Sequence, residues 1–231
     1  MTSVVVETWP RSYADHAVGG SVYAVDPTLR MEAGIQLAAA RCRVHGDVIL
    51  GRDLRNRGVS RHELTAIRQA VPAARMDLHL IALGNSVGAR GLAQERRAIE
   101  TAMEIGAECI TVSEQRLTRH AGALDEARAL GIDIWLEIPP DNPGLKVQDA
   151  AVDGALVMFI EPGTKQRADP AHLGKVGRLS RILPVGVDGG ITRKIAAQCL
   201  QAGASYVVSG RDLLTVMRPQ RGKERERDLL L

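Results

Sequence analysis

The sequence predicts an α/β fold made of one (β/α)8 barrel of the TIM type, and three observations carry that expectation. Short β-branched runs alternate with longer helical patterns from about residue 18 to residue 217, the signature of repeated βα units around a parallel sheet. The chain of 231 residues is close to the usual size of one such barrel, and its 45% hydrophobic content is ample for one large core. An open doubly wound sheet would carry a glycine-rich phosphate loop directly after its first strand. Here Gly19 and Gly20 precede that strand's apolar run, and AVDPT follows it.

Taken in order, residues 1–17 have no usable period and read as an N-terminal extension: an extra strand, a barrel plug or a loose arm. The barrel domain spans residues 18–217. Its predicted strands are Gly20 to Ala24, Arg43 to Ile49, Met76 to Leu83, Glu108 to Val112, Ile132 to Ile138, Ala155 to Ile160, Pro184 to Val187 and Ser205 to Ser209. Between them, in LAQERRAIETAMEIGA, Leu92, Ile99 and Met103 share a helix face, and Gly106 stands where a C-terminal stop belongs. Asp169 before Pro170 reads as N-cap and first helical residue, and Thr192 can cap the helix that runs to Gly203. Residues 218–231 form a charged tail whose run RPQRGKERERD reads as solvated rather than as a binding arm.

Aromatic residues make up only 3% of the chain, so Val, Ile, Leu and Ala are expected to fill the interior. With 30 basic against 27 acidic residues the surface is nearly balanced, and no nucleic-acid partner is expected. Cys42, Cys109 and Cys199 lack CxxC spacing, so neither a thiolate metal site nor a disulfide framework is implied, and a reducing cytoplasm is the expected compartment. No stretch approaches 18 consecutive apolar residues, and MTSVVVETWPRS places an acid and a proline where a signal peptide needs an apolar run. No membrane association is expected.

Polar residues inside barrel strands are informative, because a side chain that points into an apolar interior must be satisfied or it costs stability. His45 and Asp47 lie two apart in RVHGDVI, on one strand face. His79 is embedded in MDLHLIAL, and Asp188 closes LPVGVDGG. At the C-terminal ends of the second, third and seventh strands, these two imidazoles and two carboxylates can converge on one divalent ion, a mix suited to Zn, Mn, Fe or Co. Taken singly, either histidine also reads as a hydrogen-bonded core residue, and Asp188 as a turn former ahead of two glycines. Asp47 is the least comfortable as structure alone. A second group, GVDGGI with VVSGR, ends the seventh and eighth strands, where barrels commonly hold phosphate on backbone N–H groups. Gly189, Gly190 and Gly210 let an anion approach the backbone, and Arg211 either adds a charge-assisted contact or starts a surface helix.

Over roughly residues 19–214 these motifs resemble the ribulose-phosphate 3-epimerase family, a ribulose-phosphate-binding barrel. GGSVYAVDP is similar to the family's SPSILAADP, VHGDVILGRDLRN to HVDVMDGxFVPN, DLHLI to DVHLM, ALVMFIEPG to VLVMTVEPG, and VDGGI with VSGR to VDGGI with VAGS. The resemblance implies one divalent ion per chain on His45, Asp47, His79 and Asp188. It also implies substrate contacts from Ser21, His79, Met158, Gly163, Gly189, Gly190 and Gly210. Departures from the pattern bear on the sugar. Ile49 and Ile81 replace methionines, Leu50 an aspartate and Ser113 a histidine; PGTKQ, residues 162–166, replaces PGFGGQ, and Arg211 replaces a serine. Arg211 and Lys165 are therefore expected to supply phosphate contacts that the altered loop has lost.

The implied activity is inversion of C3 in a phosphorylated ketose, ribulose 5-phosphate/xylulose 5-phosphate or a relative, by a homo-oligomer. Removing a weakly acidic C–H and returning a proton to the opposite face needs two acid/base groups, and Asp47 and Asp188 fit those roles. One alternative is a phosphosugar-binding barrel without catalysis, which retention of all four ligand positions argues against. Another is the hexulose-phosphate synthase and ketogulonate-phosphate decarboxylase group, whose DxKxxD stretch has no counterpart in MDLHLIALG.

Overall fold

Eight strands pair in parallel and in chain order to close a barrel: β2 (Val18–Ser21), β3 (Arg43–Leu50), β4 (Met76–Ala82), β5 (Cys109–Val112), β6 (Asp133–Ile138), β7 (Gly154–Met158), β8 (Val185–Asp188) and β9 (Tyr206–Ser209). The computed structural model describes residues 2–84, 88–142, 151–162, 164 and 166–218. Among the described residues seven α-helices follow the strands outward: α1 (Arg30–Ala39), α2 (Arg61–Ala70), α3 (Ala89–Glu104), α4 (Glu114–Arg119), α5 (Ala121–Ala129), α6 (Leu173–Leu179) and α7 (Arg193–Gln201). Two further strands lie outside the barrel, where β1 (Ser3–Val6) pairs antiparallel with β10 (Leu214–Met217). Of the three readings of residues 1–17, the structure shows the extra strand. The amide of Val4 donates to Glu32 Oε1 at 3.0 Å, which ties β1 to α1.

Helix starts follow the capping chemistry of the sequence. Ser60 and Glu63 form a reciprocal capping box at α2, and Thr192 Oγ1 accepts from the Ile195 amide at 3.4 Å at α7. Asp169 accepts from the Ala171 amide as expected, but it heads a 3-10 turn, Pro170–His172, that only then leads into α6. The buried face of α3 centres on Glu95, Ala98, Ile99 and Ala102, with Leu92 and Met103 half-buried at its sides.

Three expectations are corrected. The first barrel strand is Val18–Ser21 rather than Gly20 to Ala24. Val22–Ala24 tightens into a 3-10 turn at the rim, and the glycines are what let the strand sit there, since a Cβ on Gly20 would overlap the Leu37 side chain. No helix starts at Arg211; residues 211–213 turn the chain into β10. Finally, aliphatic residues do not fill the barrel interior alone. They pack mainly between sheet and helices, whereas a separate interior cluster joins Trp135 and Tyr206 to Cys109, Leu156, Met158 and Val208. The two rings meet edge to face with centroids 6.4 Å apart. The opposing Gly19 position has no side chain, and a Cβ there would collide with the Tyr206 ring. Among the described residues, no helix is long and apolar enough to cross a membrane.

Candidate active site

Above the aromatic floor, strand register brings the polar residues together. Asp47 on β3 lies opposite His79 on β4, and His45 lies opposite Asp77 one pleat lower on the same pair of strands. Asp188 ends β8 opposite Met158 on β7. Because a strand alternates faces, residues two apart both point inward, and the ligand-type atoms of His45, Asp47, His79 and Asp188 come within 4.8 Å of one another. His45 Nε2 is 3.2 Å from Asp47 Oδ1 and 3.9 Å from Asp188 Oδ2. His79 Nδ1 is 3.5 Å from Asp47 Oδ1 and 3.9 Å from Asp188 Oδ2.

Each imidazole is braced from behind by a second carboxylate. Asp77 Oδ2 contacts His45 Nδ1, and Asp77 Oδ1 accepts from the Tyr206 hydroxyl at 2.8 Å. Glu137 Oε2, from β6, sits 2.7 Å from His79 Nε2. One ring nitrogen of each histidine thus faces a carboxylate and the other faces the shared centre. His79 Nδ1 is fully enclosed and has no hydrogen-bond partner, an orphan a metal ion would satisfy. Nitrogen and oxygen donors of this mix fit a borderline divalent cation, and the carboxylates behind the imidazoles match the usual support of metal-bound histidine.

Electrostatics divide the four residues. Burial opposes charge on Asp47, but the flanking His45 and His79 outweigh it and hold the carboxyl well below its usual range. Asp188 is pushed up to about 6 by burial and by the nearby Asp47 charge. Burial pulls His79 down, yet the Asp47 and Glu137 carboxylates raise it to about 9, and Asp77 and Asp47 likewise raise His45. Two carboxyl groups in one site are driven apart in proton affinity, which is how paired acids acquire separate acid and base roles.

A cavity of about 710 Å³ opens over this centre at the C-terminal ends of the strands. Its floor includes Ser21, whose hydroxyl donates to Asp47 Oδ2 at 2.6 Å, and Met158, Ile49 and Ile81 form an apolar wall. The lining also includes Gly189, Gly190, Gly210 and Arg211, and Arg211 is exposed. Gly189 and Gly190 take φ values of 105° and 67°, left-handed conformations that make the DGG turn a glycine requirement. The Asp188 carboxylate accepts from the Gly189 amide at 2.6 Å, so this turn also orients Asp188. Gly163 and Lys165 lie outside the described residues.

Sequence reasoning missed Asp77, Glu137, Tyr206 and Arg167, the last a second arginine lining the cavity. Asp77 was visible as the polar residue two before His79, and Glu137 as the one carboxylate in the apolar run IWLEI. Tyr206 gave no signal, because an aromatic residue in a strand reads as core.

Comparison with known proteins agrees with this geometry. A ribulose-phosphate 3-epimerase from Treponema pallidum is 29% identical over 122 residues, 48% of this chain and 56% of that protein. One from Eremothecium gossypii is 26% identical over 183 residues, 72% of each chain. The first of these matches thus spans little more than half of the relative's length. Among solved structures, mutant forms of the tryptophan synthase alpha-subunit from Pyrococcus furiosus match with TM-scores of 0.61 and 0.59 at 18% identity, covering 86% of this chain and 88% of theirs. At that identity they share the barrel fold alone. The family match is the more extensive in sequence, running over residues 18–214 from the first barrel strand to the start of β10; with its polar residues gathered as described, the chain belongs to the ribulose-phosphate 3 epimerase family.

Proposed function

We propose that this protein epimerises C3 of a phosphorylated ketose, ribulose 5-phosphate/xylulose 5-phosphate or a close relative, with one divalent ion held by His45, Asp47, His79 and Asp188. The observation that carries the reading is the approach of those four donors within 4.8 Å of one another, with Asp47 and Asp188 lining an open cavity. When bound, the ion supplies electrophilic stabilisation for charge developing on the substrate's C2 and C3 oxygens. Asp47 and Asp188 act as the acid/base pair. One carboxylate takes the C3 proton to leave an enediolate, the other gives a proton to the opposite face of C3, and the reverse reaction exchanges their roles. Ser21 steadies Asp47 through its hydrogen bond, while Ile49, Ile81 and Met158 exclude water from the sugar face. The phosphate rests on the backbone of Gly189, Gly190 and Gly210, with Arg211 reaching it from the mouth.

The test is isotope exchange. Protein loaded in turn with Zn, Mn, Fe or Co is incubated with tetrulose, pentulose and hexulose phosphates in heavy water. Deuterium entering at C3, together with formation of the C3 epimer, is the expected result. Absence of exchange across every metal and ketose phosphate would sink the proposal.

A further inference from the structure

We propose that Glu137 is a positioning residue of the metal centre: it fixes the His79 ring with Nδ1 as the donor facing the ion and sets how tightly the ion is held. The inference rests on the metal-centre reading above and adds a residue to it.

Glu137 is the penultimate residue of β6, whose other inward or core-facing residues, Ile134, Trp135, Leu136 and Ile138, are all buried and apolar. A carboxylate placed there, only 9% exposed, is costly unless its charge is met. Among the described residues no lysine or arginine comes within ion-pair distance of it, and its partner is the His79 imidazole at 2.7 Å. The contact is made at Nε2, on the side of the ring away from Asp47 and Asp188. A carboxylate acceptor there keeps the N–H on Nε2 and leaves Nδ1 to face Asp47 and Asp188, with which it makes no hydrogen bond.

His45 provides an internal comparison. Asp77 braces it in the same manner, but Asp77 also accepts from the Tyr206 hydroxyl, so part of its charge is already engaged. Glu137 has no such second donor among the described residues, so the His79 imidazole is its one polar partner there. A carboxylate behind a ligating imidazole raises its basicity and restricts its rotation, and removing such a partner typically weakens metal binding by about 10–100-fold.

The experiment compares the unsubstituted protein with Glu137→Ala and Glu137→Gln. Each is freed of metal, then titrated with Co2+ and Zn2+ against a chromophoric chelator. The Co2+ visible spectrum is recorded, and melting of the metal-free forms is followed in parallel. Glu137→Ala is expected to bind both ions about 10–100-fold more weakly and to change the Co2+ spectrum. Glu137→Gln, which keeps the shape and an acceptor but not the charge, is expected to lose less affinity. If Glu137→Ala does not fold, the isosteric Glu137→Gln decides alone through its affinity and spectrum. Tight binding and a Co2+ spectrum unmoved by the substitutions would overturn the role of Glu137 and leave only a structural brace between β4 and β6. Failure of the unsubstituted protein to bind either ion tightly would instead overturn the metal centre itself, and this role with it.

Discussion

Asp47 and Asp188 share a centre but not a proton affinity, because Asp47 lies between two imidazoles while Asp188 is buried beside the Asp47 charge. The imidazoles favour the ionised form of Asp47, whereas burial and the Asp47 charge push Asp188 up to about 6. Replacing either by Asn would remove a proposed proton carrier while keeping the shape. Asp47→Asn and Asp188→Asn are each expected to lower kcat by about 100-fold or more, with circular dichroism unchanged. Metal content has to be measured in the same samples, since a lost ion imitates a lost base; active, metal-replete variants would show that the acid and base lie elsewhere. At the cavity mouth, Arg211 is the candidate phosphate contact that the family pattern lacks. A charge-assisted hydrogen bond contributes about 1.5–3 kcal/mol, so Arg211→Ala should raise KM by roughly tenfold or more with little change in kcat. An unchanged KM would leave the phosphate to the glycine backbone.

Among the elements, α3 and the α4–α5 pair are joined by an ion cluster away from the His45, Asp47, His79 and Asp188 group. Glu95 on α3 is fully buried and receives Arg116 Nε at 3.1 Å, Arg119 at 3.3 Å and His120 Nε2 at 2.7 Å. Arg116 also donates to Ser113 Oγ at 2.6 Å, which places Ser113, at the end of β5, in this scaffold. Glu95→Ala would take the Glu95 counter-charge away from the buried Arg116 guanidinium. A loss of about 3–5 kcal/mol in urea unfolding is expected, the magnitude usual for breaking a buried pair from one side. A loss below 1 kcal/mol would mean that water or rearrangement satisfies the arginines.

For the whole molecule, the barrel floor and the proposed ion are expected to act on stability separately. Trp135 fills the interior, but its indole N–H is buried without a partner. Trp135→Ala should cost about 3–5 kcal/mol by leaving a cavity, whereas Trp135→Phe should cost clearly less, because it keeps much of the ring and removes the unsatisfied donor. Equal losses in the two variants would show that ring volume is not what the floor needs. A site that forms only in the folded chain links metal binding to folding. Free ion at about 100 times its Kd should add about 2.7 kcal/mol of stability, read as a higher Tm that a chelator reverses. A Tm indifferent to both ion and chelator would contradict the metal centre.

The sequence by itself determined the barrel and the placement of its polar residues, because both follow from local periodicity. Alternating β and α patterns define the units, and period two places His45 with Asp47 on one face without any knowledge of a partner strand. The glycines after Asp188 likewise announce a turn that other residues adopt only under strain. Only the tertiary structure decided what those residues meet. That Glu137 stands behind His79, 58 positions away in sequence, and Tyr206 behind Asp77, 129 positions away, depends on barrel closure and register. The same is true of the aromatic floor: Trp135 and Tyr206 fit inside because Gly19, on a neighbouring strand, contributes no side chain. Local pattern fixes which way a side chain points, but its neighbours across the barrel are set by the closure of all eight strands together.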